Sequence, residues 1–279
     1  MTRVPIVVVG ATFAGVGIAA AAKQKALIVE QASQPGHEFI SSYRPGEQWD
    51  CKPRTSKGKR FLDQLVQRNV LSDNGLVHIP AVLPVLCHYI KTERLPLLLM
   101  TTIADISEHP DGYEVTLFHA SGMETITAGR IIDTSSQGLF HSGKPQSITG
   151  KSINAMLHRP AEPTASPPVS YDKSVSFVQG RFESEVILKV ELAPDDDWIA
   201  ARRKLHSLWS SRPESLRSWS IAAVADTFEM HTAKGPTEIS RNWCRLPSCA
   251  YSNLLEAFEA GLRFAESKGA DDETFAVGQ

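Results

Sequence analysis

At 279 residues, with 42% hydrophobic side chains, the chain has material for one large core or two unequal ones. Its 29 Lys and Arg against 31 Asp and Glu leave a net charge of -2, which removes any electrostatic case for nucleic acid or an anionic membrane surface. The apolar run Ile18 to Ala22 is too short to span a bilayer, and the N-terminus lacks the basic-apolar-small order of a signal peptide. Four cysteines, Cys51, Cys87, Cys244 and Cys249, show no metal-type spacing, so the expectation is a cytoplasmic protein with no bound metal whose partners are small molecules or proteins.

Val4 to Glu30 is the most informative stretch. Ile6 to Val9 is a β-branched run, the pattern of a strand buried on both faces of a parallel sheet, and it stops at Gly10. Gly10, Gly15 and Gly17 then thread an alanine-rich segment, so a helix starting near Ala14 and ending near Lys23 to Lys25 is expected to lie close to the strand it leaves. Ala26 to Val29 reads as a second strand. It finishes on Glu30, where a dinucleotide fold places a carboxylate for the ribose hydroxyls. The first amides of such a helix have no internal partner and sit at its positive end, a natural seat for a pyrophosphate. Thr12 stands where G-x-G-x-x-G has its second glycine.

Gln31 to Lys59 is rich in Gly, Pro, Ser and charge and reads as a long excursion off the sheet. Arg44, Lys52, Arg54, Lys57, Lys59 and Arg60 make this region basic, which suits either a diphosphate or a solvated loop. His37 follows Gly36 and reads first as a surface histidine. Phe61 to Asn69 has helical spacing, and Val77 to Ile90, broken by Pro80 and Pro84, fits a short strand or a helix entered through proline. From Leu97 the period changes. Leu97 to Ile106, Tyr113 to His119, Glu124 to Thr127 and Arg130 to Asp133 are strand-like, separated by Asp111-Gly112, Ser121-Gly122 and Gly129.

Leu139 to Asn242 opens with the proline-rich RPAEPTASPPVS and continues with strands at Ser174 to Gln179 and Glu185 to Glu191. A helix follows over Asp195 to Ser210, with acids at its start. Trp198, Trp209, Trp219 and Trp243 read mainly as core. His206 and His231 belong to no metal or hydrolase pattern, and Cys244 and Cys249, spaced C-x4-C, read as ordinary thiols. Asn253 to Ser267 carries Leu254, Leu255, Phe258, Leu262 and Ala265 at helical spacing.

The strand-turn-helix start, the antiparallel meander followed by IIDTSSQG, and the C-terminal WCRLPSCAYSNLLEAFEAGLRFAE together resemble the FAD-dependent oxidoreductases of the two-dinucleotide-binding-domain flavoprotein class. GATFAG looks like a variant of the G-G-T-P-G-G turn found in a subset of them. The resemblance implies an α/β fold with a Rossmann-like FAD-binding parallel sheet, an antiparallel meander and a small α+β substrate portion. It divides the chain into 1-138 plus 243-279 for FAD and 139-242 for substrate or interaction. It further implies that Gly10, Ala11, Thr12, Phe13, Ala14 and Gly15 hold the pyrophosphate and Glu30 the ribose, with Gln31 and Arg44 nearby. Ile103 would pass the adenine, and Asp133, Thr134 and Ser135 would approach the cofactor again. Arg245, Pro247, Ser248, Cys249, Ala250 and Tyr251 would close over the flavin. Hydride or electron transfer through FAD follows, with no catalytic acid or base assigned. The alternatives are an NAD(P)-dependent reductase, with Glu30 disfavouring a 2′-phosphate, and a non-catalytic subunit of a larger complex. The small middle portion leaves open a second subunit, of the same or another chain, that completes the substrate pocket.

Overall fold

The computed structural model describes residues 2–50, 52–138, 148–160 and 168–269. Along the chain these form β1 (Thr2–Val9), α1 (Phe13–Ala22), β2 (Ala26–Val29), α2 (Ser56–Gln67), α3 (Val82–Thr92), β3 (Leu97–Leu98), β4 (Thr102–His109), β5 (Gly112–His119) and β6 (Gly122–Asp133). There follow β7 (Ile148–His158), β8 (Val175–Gln179), β9 (Glu185–Glu191), α4 (Trp198–Ser210), β10 (Ser220–Val224), β11 (Glu229–Thr232), β12 (Thr237–Ser240), β13 (Trp243–Arg245) and α5 (Leu254–Gly269).

The first sheet has the order β12-β13-β6-β1-β2-β3, with β1 parallel to both neighbours: Val8 pairs with Ile28 on one side and Ile132 on the other. β-Branched residues suit this because successive side chains point to opposite faces and both faces are covered. Val8, Ile28 and Ile132 pack under α1, α5 and the residues around α2 and α3. Val7, Val9 and Ile131 pack against Ile103, Val115 and Leu117 of the β4-β5 meander. Each such full burial contributes roughly 1.5–3 kcal/mol. The second sheet, β10-β7-β9-β8 with β11 also on β7, is antiparallel throughout. α4 covers it by setting Ala201 and Leu205 against Ile153, Leu157 and Leu188, with Trp219 buried beside them.

Several sequence expectations change in the structure. Gly129 does not end a strand: β6 runs unbroken from its antiparallel pairing with β5 to its parallel pairing with β1, so the two expected runs are one. Leu97 to Ile106 divides at Met100, whose φ of 52° turns the chain between β3 and β4. Val77 to Ile90 resolves into a single 3-10 turn at Ile79–Ala81 that leads into α3. The first part of the stretch after β2 is not an excursion: Pro35, Gly36, Glu38 to Ser42 and Arg44 are buried, with Gly36, Glu38 and Phe39 against the start of α1. β12, which lies inside 139-242, extends the first sheet through its pairing with β13.

The glycines of α1 face two ways. A Cβ on Gly15 would come within 2.2 Å of Gly10 O, so that glycine serves the close return of helix onto strand, as expected. A Cβ on Gly17 would meet Phe258 O at 2.2 Å, and one on Gly261 would meet Ala14 O at 2.0 Å. Gly17 therefore serves α5 rather than the strand, and the two helices cross almost backbone to backbone.

Candidate functional site

β1 ends at Gly10, whose φ of +92° lets the chain turn under β2 and place the Gly10 amide on Val29 O at 2.8 Å. Thr12 caps α1: its Oγ1 accepts from Gly15 N at 3.0 Å and donates to Thr134 Oγ1 at 2.7 Å, which in turn donates to Val9 O at 2.7 Å. The threonine in the glycine turn is thus a helix cap tied to the strand end beside it. Glu30 is buried, and its two oxygens accept from Ala11 N and Ala32 N at 2.7 Å each, with His37 Nδ1 at 3.7 Å. Burial raises the pKa of Glu30, but His37 and the two amides outweigh it and hold the group below 4.5.

The neighbouring turn, at Pro35-Gly36, brings in a residue that no motif announced. Gly36, at φ +74°, donates to Ala11 O at 2.7 Å and starts a compact bend in which Phe39 meets Phe13 edge to face. That bend carries Glu38 onto the N-terminus of α1. Its Oε1 accepts from Phe13 N at 2.8 Å and from Ser248 Oγ at 2.6 Å, while Ser248 Oγ itself accepts from Ala14 N at 3.2 Å. The amides of Phe13, Ala14 and Gly15 therefore all have partners from within the chain.

Arg44 closes the same bend. It donates to Cys249 O at 2.8 Å and Tyr251 O at 2.7 Å, lies 4.6 Å over the Phe39 ring and sits 3.5 Å from Glu229. A phosphate-binding role is not what its contacts show: the guanidinium is buried and spent on carbonyls and a carboxylate. Glu229, also buried, takes Lys189 Nζ at 2.7 Å, His231 Nε2 at 2.8 Å and Asn154 Nδ2 at 2.7 Å. Burial raises its pKa, yet His231, Lys189 and Arg44 more than offset that and hold it far below the usual carboxylate range. Arg44 donates to His231 Nδ1 at 3.3 Å, so the proton of a neutral His231 sits on Nε2 and both ring nitrogens are engaged. These charges, together with Ala250 and Ser252, line a cavity of about 90 Å³ between the second sheet and the 249–252 segment. Glu229 and His231 pair with each other along β11, but no motif announced them, since the rest of the network comes from Asn154 on β7, Lys189 on β9 and the bend that carries Arg44.

The remaining expected residues fall around this centre. Asp133 ends β6 and Thr134 and Ser135 follow it, with Ser135 N and Oγ donating to Asp133 Oδ1. Arg245 donates to the carbonyls of Ser135 and Ser136, and Pro247 leads into a 3-10 turn at Ser248–Ala250. Ser248, Cys249, Ala250 and Tyr251 are buried beside the α1 N-terminus and Arg44. Asn253, expected inside the last helix, is its cap: its Oδ1 accepts from Glu256 N at 2.8 Å. Ile103 lies in the core under the meander, and Gln31 is exposed at the end of β2. Among the described residues no group of three His, Cys, Asp or Glu could hold a metal ion, and no helix is long and apolar enough to cross a membrane.

No protein-family model matches the chain, and no curated protein matches it. Solved structures do. It is similar to a glycine oxidase from Geobacillus kaustophilus, with a TM-score of 0.64 at 13% identity, covering 95% of this chain and 94% of that one. L-proline dehydrogenase from P. horikoshii gives 0.61 at 13% identity, covering 99% and 96%. Aklavinone-11 hydroxylase, solved with FAD and aklavinone, gives 0.59 at 13% identity, with 97% of this chain but 63% of that one, so the chain spans under two thirds of that enzyme. At such identities the likeness is one of fold: the chain shares the α/β fold of these oxidoreductases, one of which was solved with FAD.

Proposed function

We propose that the chain is an FAD-dependent oxidoreductase that exchanges electrons with a small polar molecule in the cytoplasm, using residues 1-138 and 243-279 for the cofactor and 139-242 for substrate. The observation that carries this is the cradle β1–Gly10–α1–β2–Glu30 at the C-terminal edge of a parallel sheet, in a fold shared with FAD-dependent oxidoreductases. When bound, FAD supplies the hydride or electron transfer. The cavity, of about 90 Å³ and lined by Arg44, Lys189, Glu229 and His231, suits a small polar group. Lys189, whose ammonium has donors beyond the one on Glu229, is the side chain that would orient such a group.

In the conformation seen, the residues do not fit the dinucleotide. Ala11, Thr12, Phe13 and Ala14 have 0% accessible surface, and the amides that would take a pyrophosphate are already bonded. The same closure favours a second reading, a cofactor-free subunit that keeps the fold as a scaffold.

Titrating FAD, and separately NADH, into the purified protein tests both readings. Saturable uptake of about one FAD per chain, released on denaturation, supports the oxidoreductase. Uptake of NADH alone would point to a nicotinamide enzyme, and absence of any uptake by the wild type and by Glu38→Ala would leave the scaffold.

A further inference from the structure

On the reading that this cradle takes FAD, we infer that Glu38 occupies the seat of the cofactor's pyrophosphate, so that FAD binds only by displacing it and this one carboxylate sets the flavin affinity. The free amides at a helix N-terminus are the donors an anion seeks. Here the anion is already present. Glu38 Oε1 takes Phe13 N and Ser248 Oγ, Ser248 Oγ covers Ala14 N, and Thr12 Oγ1 covers Gly15 N. A diphosphate needs the same donors, and two anions cannot share them in a site this buried.

The occupant is imperfectly held. Glu38 is 2% exposed, and its second oxygen, Oε2, has no hydrogen-bond partner. A buried carboxylate with one oxygen unsatisfied is costly to keep, whereas a phosphate with more acceptor oxygens would use the Phe13, Ala14 and Ser248 donors together. The charged groups around it, His37 and Arg44, come from the same bend, and Arg44 is committed to Cys249 O, Tyr251 O and Glu229. The seat can thus empty by movement of Glu38 while the Arg44 contacts that hold the bend to the 249–251 segment remain.

The test is equilibrium titration of FAD, followed by flavin fluorescence, with wild type, Glu38→Ala and Glu38→Gln. Glu38→Ala should bind at least ten-fold more tightly than wild type. Glu38→Gln should fall between, because its amide oxygen still accepts from Phe13 N but carries no charge; should the alanine variant fail to fold, this comparison decides. Equal affinity across the three, or tighter binding by the wild type, overturns the role of Glu38 and leaves the FAD reading standing. If no folded variant takes up FAD at any concentration, both fall together.

Discussion

Replacing Gly17 by alanine separates the structure's account from local propensity, because the two predict opposite signs. In an exposed helix interior, Gly→Ala stabilises by about 1 kcal/mol. Here the new Cβ would stand 2.2 Å from Phe258 O and 3.0 Å from Leu262 N, where about 3.4 Å is ordinary contact, so α1 and α5 must part by roughly 1 Å. Ala14, Ile18, Phe258 and Leu262, all with 0% accessible surface, lie along that contact and lose packing together. Overpacking of this kind costs up to about 3 kcal/mol, and subtracting the propensity gain leaves a net loss of about 2 kcal/mol. For a domain of this size that lowers Tm by roughly 4–8 °C. Urea denaturation and calorimetry measure both quantities. An unchanged or raised Tm in Gly17→Ala would mean that the helices do not cross as described. Gly261→Ala should act in the same direction, and the double variant should lose less than the sum, since one separation relieves both clashes.

Arg44→Met should destabilise by about 3 kcal/mol in urea denaturation, because it strands the carbonyls of Cys249 and Tyr251 in a buried site and takes one positive charge from beside Glu229; a loss under about 1 kcal/mol would show that the network is not closed. Adding Glu229→Gln should recover part of that loss. Thermal stability should fall as pH rises above about 6.5. Burial works to lower the His37 pKa, but Glu30 and Glu38 outweigh it and raise it above 6.5, so its contribution is complete below that value and lost as pH rises through the folded-state pKa. Glu38, raised above 4.5 by burial, acts in the same direction from lower pH. A melting temperature that rises over this range, or a His37→Gln variant with an unchanged slope, would contradict the pairing. Glu30→Ala should cost about 1–3 kcal/mol by calorimetry, since the buried amide of Ala11 loses its acceptor.

What could be read from the sequence is what depends on neighbours along the chain. The apolar run into Gly10, the alanine-rich helix and the return to Glu30 are set by periodicity and glycine freedom within thirty residues, and they stand as expected. The Asp111-Gly112 and Ser121-Gly122 turns marked the meander for the same local reasons, and α4 was legible too, although it starts at Trp198 rather than Asp195, with Asp197 as its cap. The first anion at the helix N-terminus could not be read in this way. Glu38 reaches Phe13 N across 25 positions and Ser248 across 210, and Arg44 reaches Cys249 O across 205. A carboxylate in a Gly, Ser and Pro-rich stretch looks like solvated loop, because the packing that buries it is supplied by α1 and by the 248–251 turn. Gly17 likewise reads as one more small residue of α1 until α5 is laid across it. Periodicity fixes which face of an element is apolar, but which distant group arrives at that face, and whether a donor is left free for a ligand or taken by the chain itself, is decided only when the elements pack.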